Sequence, residues 1–174
     1  MTDRIERLEK DLSRIIGFTN SCDSKSSIIM SGVLAITALI IGLNGSSYVD
    51  YFKNKLESAA GILLMLLFIV SIGLAIAGIS FIISSLYARV KLDHSVYHRS
   101  SIFYKSIASM EYGDYKESIL SMTEEEYIED LASQIHNNSV ICNKKYELYN
   151  KGLVLSVAGL ILLLVCSLFV LFLQ

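Results

Sequence analysis

His94 and His98 stand four residues apart, a spacing that puts both imidazoles on one face of a helix, with Asp93 beside them. Such a pair chelates a metal once further ligands join it. No His-Glu-x-x-His frame surrounds the pair and no third ligand is identifiable, so the competing reading is an ordinary polar face near a membrane. His136 stands alone. Cys22, Cys142 and Cys166 include no close pair, which signals neither a zinc site nor a disulfide framework. No serine or cysteine sits in a nucleophile motif, and no glycine-rich phosphate loop precedes a helix. These residues predict no catalytic set, no metal and no cofactor.

The elements that would position such residues are membrane elements. The chain has 174 residues, of which 53% are hydrophobic and only 18% charged, and its mean hydropathy is +0.51. A soluble domain carries nearer a quarter charged residues, so a water-soluble enzyme is excluded. The charges are also segregated. Only Asp50 falls in 26–52, and none falls in 58–88 or 152–174. Crossing a bilayer takes about 20 apolar residues in a helix. Residues 26–43, 59–86 and 152–173 meet that length, and none of the three alternates as a barrel strand does. The first run follows a charged amphipathic segment and is longer than a signal-peptide core, so it reads as a retained anchor. With no proline in the chain, the helices should run without proline kinks.

The fold class that follows is an all-α membrane protein with three transmembrane helices and a helical cytoplasmic domain inserted between the second and third. Lys and Arg set the orientation: five lie in 1–25, two in 44–58 and eight in 87–151. Basic residues accumulate on the cytoplasmic side, which places the arm 1–25 and the domain 87–151 inside. The short loop 44–58 and the C-terminus then lie outside. Tyr48 and Tyr51 outside, with Tyr87 and Tyr149 inside, suit the two interfacial belts.

Ile5, Leu8, Leu12 and Ile15 form one apolar stripe on the arm, otherwise covered by charge. Two heptads are too few for a coiled coil, so the arm is expected to pack on its own domain or on the membrane surface; subunit assembly is the alternative. From Val90 the pattern predicts helix to about Met110, a break at Tyr112-Gly113-Asp114, and a short helix to Ser121. Thr123 and Glu126 then form a capping box. From Glu124 no proline or glycine intervenes until Gly152, which predicts one helix running straight into the last span, a mechanical lever.

The spans contain no Asp, Glu, Lys, Arg or His, the groups expected of proton relays and coupled transporters. They hold small residues in register: Ser31, Ala35, Ala38 and Gly42 on the first, Gly73 and Ala77 on the second. Such stripes let helices approach closely, within or between subunits. Several copies could surround a pore lined by Thr37, Ser71, Ser80, Ser84 or Ser85; equally, these hydroxyls could bond back to their own helices.

Several short motifs carry a family resemblance. They are Asn20-Ser21-Cys22-Asp23-Ser24-Lys25-Ser26-Ser27, Phe103-Tyr104-Lys105-Ser106-Ile107-Ala108, the run Thr123, Glu124, Glu125, Tyr127, Asp130, Leu131, Gln134, Ile135, and Lys144-Lys145-Tyr146. In that order, over about residues 18–172, the chain resembles the Pycsar effectors, small transmembrane proteins of bacterial anti-phage defence. Where such proteins usually show Asp-x-Lys-Ala, this chain has Asp23-Ser24-Lys25-Ser26, a change conservative in size. The resemblance implies a non-enzymatic effector at the inner membrane, in contact with lipid and causing growth arrest or cell death. Its signal would be a cyclic nucleotide or short oligonucleotide, made by a nucleotide-signal synthase encoded nearby. The similar layout of Hailong-type effectors implies a homo-oligomeric channel, a tetramer by that likeness.

An anionic ligand wants cations near the inner leaflet. Lys25, Lys105, Lys144 and Lys145 are the candidates, with Asp23 able to hold a lysine or accept from a base or ribose. Tyr104, Tyr112 and Tyr146 are the candidate stacking residues. The lysines would serve equally as positive-inside anchors. The rival function is a membrane anchor or scaffold that recruits a cytoplasmic partner through the acidic face of 124–130.

Overall fold

A computed structural model describes residues 2–55, 57–87 and 100–173. The described residues form five helices: α1 Thr2–Lys55, α2 Ala59–Leu86, α3 Tyr104–Ala108, α4 Tyr112–Ser121 and α5 Glu124–Leu173. Three of these, α1, α2 and α5, are long and apolar enough to cross a membrane. The expected all-helical, three-span class holds at that level. Asp93, His94 and His98 lie outside the described residues. The chain divides into two units: 1–21 with 88–144, and 22–87 with 145–174.

In the first unit, the arm portion of α1 carries the pairs Arg7–Asp3 (2.7 Å), Lys10–Glu6 (2.6 Å) and Arg14–Asp11 (3.1 Å), all exposed. Pairs of this kind stabilise a helix by a few tenths of a kcal/mol each. The opposite stripe, Ile5, Leu8, Leu12 and Ile15, is half-buried, and the Tyr127 hydroxyl donates to Glu9 Oε1 at 2.9 Å. The arm therefore packs on its own unit, against the start of α5.

The expected helix through Met110 is corrected. Residues 100–103 are not helical, because Ser100 diverts the backbone. Its buried Oγ accepts from the N–H groups of Ile102 (3.3 Å) and Phe103 (3.0 Å) and from Gln134 Nε2 (3.3 Å). A serine that bonds its neighbours' amides competes with helix in this way. The Asp130 carboxylate accepts from the Ser101 N–H (2.9 Å) and hydroxyl (3.1 Å), which ties the segment to α5. The predicted break also moves, from 112–114 to 109–111, and Gly113 falls inside α4.

The capping box is present. Glu126 Oε2 accepts from the Thr123 N–H (2.8 Å) and hydroxyl (3.0 Å), and the Glu126 N–H donates to Thr123 Oγ1 (3.3 Å). From there α5 runs unbroken for 50 residues.

In the second unit, residues 44–55, expected as part of a loop, are helical and extend α1 to Lys55. The reason is packing: Tyr48 and Tyr51 are buried in a cluster with Leu64, Cys166 and Val170, and a helix is what presents them to it. The turn follows. Ser58 caps α2, its Oγ accepting from the Gly61 N–H at 3.0 Å, and a side chain at Gly61 would strike the Lys55 carbonyl.

Buried positions in this unit recur every seven residues. They are Ser26, Val33 and Ile40 on α1; Leu64, Ser71, Gly78 and Ser85 on α2; and Lys145, Gly152, Gly159 and Cys166 on α5. A second α5 row is Ser156, Leu163 and Val170. That period is the one that keeps a seam facing its neighbours in a helical bundle. Glycine brings α2 and α5 together. A Cβ at Gly159 would lie 2.7 Å from the Ala75 nitrogen and 2.9 Å from the Ser71 oxygen; one at Gly152 would lie 2.8 Å from the Gly78 oxygen. Close approach at small residues is how helices associate where no hydrophobic effect separates protein from lipid.

Candidate functional site

Among the described residues, an arrangement in each unit is able to do more than hold the fold. In the second unit it is a buried ion pair. Lys145 Nζ donates to both oxygens of Asp23, at 2.5 and 2.7 Å. The lysine side chain is 7% exposed and the carboxylate 37%. Asp23 lies on α1, one turn before Ser26, whose Oγ meets Ser85 Oγ of α2 at 3.0 Å. One polar layer thus joins all three helices of this unit. An unpaired ammonium this deep would be strongly unfavourable, so the carboxylate is what allows Lys145 its position.

In the first unit it is a groove of about 590 Å³, within the range of small-molecule sites. Its apolar surface comes from Ile5 of α1, Ile102, Ile107 of α3, Ile119 of α4 and Met122. Tyr115 and Tyr127 are its aromatic residues; Ser101, Thr123 and Glu124 bring its polar groups. Burial, and then the hydrogen bond to Glu9, push the Tyr127 phenol above its ordinary range. The Thr123 N–H and then its hydroxyl hold the Glu126 carboxyl below the usual carboxylate range. Hydrogen bonds orient both side chains.

The residues proposed from sequence distribute between these units. Asp23 and Lys145 are brought together directly. Lys25 is exposed on α1, and Tyr146 is half-buried on α5 beside Lys145. Tyr104, Lys105, Tyr112 and Lys144 belong to the other unit. Tyr104 and Tyr112 are 75% and 80% exposed and line no part of the groove. The tyrosines that do line it, Tyr115 and Tyr127, are not among the candidate stacking residues, although Tyr127 belongs to the family motif. The signal was there: each falls on the same helix face as an apolar residue four positions on, Ile119 and Leu131 respectively.

The small-residue stripe behaves differently from the α2–α5 seam. Ser31, Ala35, Ala38, Gly42 and Gly73 are exposed, and Ala77 is half-buried. Nothing lies within 4 Å of a Cβ built at Gly42 or Gly73. Of these candidates, Ser71 reaches the α2–α5 contact opposite Gly159, and Ser85 is buried against Ser26 of α1. The hydroxyls of Ser31, Ser71, Ser80 and Ser84 bond back to carbonyls of their own helices at 2.7–2.9 Å. Thr37 Oγ1 is buried and has no hydrogen-bond partner among the described residues.

Comparison with known proteins then places the chain. The profile of the Pycsar effector protein domain matches residues 7–173. The chain belongs to the Pycsar effector family. It is similar to the Pycsar effector protein GmPycTM of Gulbenkiania mobilis, 26% identical over 181 residues, which cover 93% of this chain and 90% of that protein. No solved structure matches it significantly. The family drawn from the short motifs is thus the right one, and the three long helices suit a membrane effector of that family.

Proposed function

We propose that this chain is a non-catalytic effector of anti-phage defence in the bacterial inner membrane. In this reading the first unit lies in the cytoplasm and receives a cyclic nucleotide or short oligonucleotide made by a partner synthase. The three long helices assemble with those of other copies, a tetramer by likeness to Hailong-type effectors, and open or disrupt the bilayer. Growth then stops.

The observation that carries the reading is α5. One uninterrupted helix begins at a capping box beside the groove and ends in an apolar stretch long enough to cross a membrane. An α-helix transmits a displacement along its axis because each backbone bond ties one turn to the next. Thirteen of the fifteen Lys and Arg residues, in 1–25 and 87–151, support a cytoplasmic first unit through the positive-inside bias. Family membership supports the defence role.

The test is permeabilisation of liposomes containing the purified protein. Dye or ion release on adding a panel of cyclic mononucleotides and short oligonucleotides, and none without them, is the expected result. Absence of both binding and release overturns the reading. Expression without growth arrest, together with stoichiometric capture of one protein partner on the exposed 124–130 face, would favour a scaffold instead.

A further inference from the structure

The three helices of the second unit are not joined alike. α2 and α5 meet backbone to backbone: a side chain at Gly78 would strike Ser156, and a Cβ at Gly159 would lie 2.7 Å from the Ala75 nitrogen. Such close packing leaves no slack, so these two helices move together. α1 is attached mainly at two places. At one, the Tyr48 and Ser167 hydroxyls lie 2.6 Å apart, and the Tyr48 and Phe52 rings pack on Phe68 of α2, with centroids 4.7 and 6.1 Å away. At the other, the Asp23–Lys145 pair stands beside Ser26 and Ser85. Between Ser26 and Tyr48 the buried positions of α1 are Val33 and Ile40. A Cβ built at Gly32, Gly42 or Gly45 meets nothing within 4 Å among the described residues.

The two attachments differ in what undoes them. The aromatic end is buried and lies close to the short turn into α2, so apolar burial and chain connectivity both hold it. The charged end rests on bonds of 2.5 and 2.7 Å, which a displacement of about 1 Å carries out of hydrogen-bond range. Asp23 is already partly exposed, so water can replace the lysine there. The flexible lysine stem lets the ammonium reach the surface once α1 moves. Asp23 and Lys145 also stand within two residues of the points where α1 and α5 pass from the first unit into the second. A movement transmitted along either helix meets this pair before it meets Ser26 or Gly152.

We propose that the Asp23–Lys145 pair is a releasable latch. Closed, it holds α1 against α2 and α5 and keeps the protein at rest; open, it frees that end of α1 to swing about the aromatic cluster, the step that precedes membrane disruption. The inference rests on the reading that the protein acts on the bilayer after receiving a nucleotide.

The experiment is dye release from liposomes holding the purified full-length protein, with no nucleotide present. Asp23→Asn strands the ammonium in the closed arrangement and raises release at least roughly tenfold, while Lys145→Met, which only removes the bond, raises it about threefold. The double variant is decisive. Its thermal midpoint recovers most of what Asp23→Asn loses, since no charge is stranded. Its release nonetheless stays about threefold above that of the parent, because no latch remains. Release that returns to the parental level along with the midpoint, or single variants as tight as a parent that nucleotides open, overturns the latch and leaves the proposed function standing. If no form releases dye, with or without cyclic mononucleotides and short oligonucleotides, the proposed function fails and the latch fails with it.

Discussion

Removing the charge of Asp23 and removing that of Lys145 should have unequal consequences. Asp23→Asn leaves an ammonium with a side chain only 7% exposed and no counter-charge. Stranding one member of a fully buried pair costs about 3–5 kcal/mol. Here the carboxylate side is 37% exposed, so water reaches the pair and the cost falls to about 2 kcal/mol. For a chain of this size about 1 kcal/mol corresponds to roughly 2–4 °C in Tm, which predicts a drop of about 4–8 °C. Lys145→Met keeps the length of the side chain and leaves Asp23 to be hydrated, at under about 1 kcal/mol. In the double variant most of the Asp23→Asn loss is recovered, because the ammonium it stranded is gone. Thermal unfolding of the purified protein in one detergent, followed by far-UV circular dichroism, measures all four forms. Equal losses for the two single variants, or an Asp23→Asn protein as stable as the parent, would refute the argument that burial of the lysine makes the carboxylate necessary.

Gly159→Leu should lower the thermal midpoint by several degrees, since its first added carbon would already sit 2.7 Å from the Ala75 nitrogen; Gly73→Leu, with open space around it, should leave the midpoint unchanged. Thr123→Ala should cost about 1 kcal/mol at the start of α5, read by unfolding or by faster amide exchange in its first turn. Because the Glu126 carboxyl titrates below its ordinary range, its contribution is present above the unfolded carboxylate value and is lost as pH falls through the lower folded value. A pH titration of that exchange checks the sign, and the Thr123→Ala protein should show less of the acid dependence. Tyr127 titrates above the ordinary tyrosine range, so its bond to Glu9 is intact below the unfolded value and is lost as pH rises through the folded one. Tyr127→Phe should remove that alkaline dependence, seen as a flat stability profile where the parent declines.

The features legible in the sequence were those that neighbouring residues determine. The capping box at Thr123 and Glu126, the continuity of α5 and the arm stripe from Ile5 to Ile15 all follow from spacings of three or four residues. The face that packs did not follow so simply. Gly73 and Gly78 both lie on α2, and their local surroundings distinguish them little; what decides is that Gly152 and Ser156 approach Gly78 from a helix some seventy residues on. The seven-residue recurrence shared by Gly78, Ser85, Gly152 and Gly159 was the available signal. Asp23 and Lys145 were each recognised, yet their pairing across 122 positions is a tertiary fact. The apolar run of the first span ends at Leu43 in the sequence, whereas burial of Tyr48 and Tyr51 against Leu64 and Val170 carries the helix on to Lys55.

Neither unit is contiguous along the chain, and this sets an order on biosynthesis. A ribosome adds roughly 5–20 residues per second, so the arm at 1–21 emerges well before the residues it packs on. During that interval Ser71, Ala75 and Gly78 of α2 lie uncovered, able to receive the last helix of a neighbouring nascent chain as readily as their own. Exchange of α5 between chains made on one messenger is therefore easiest before residue 145 has left the ribosome. A chain halted there holds two finished apolar helices and a carboxylate at Asp23 with no lysine to meet it.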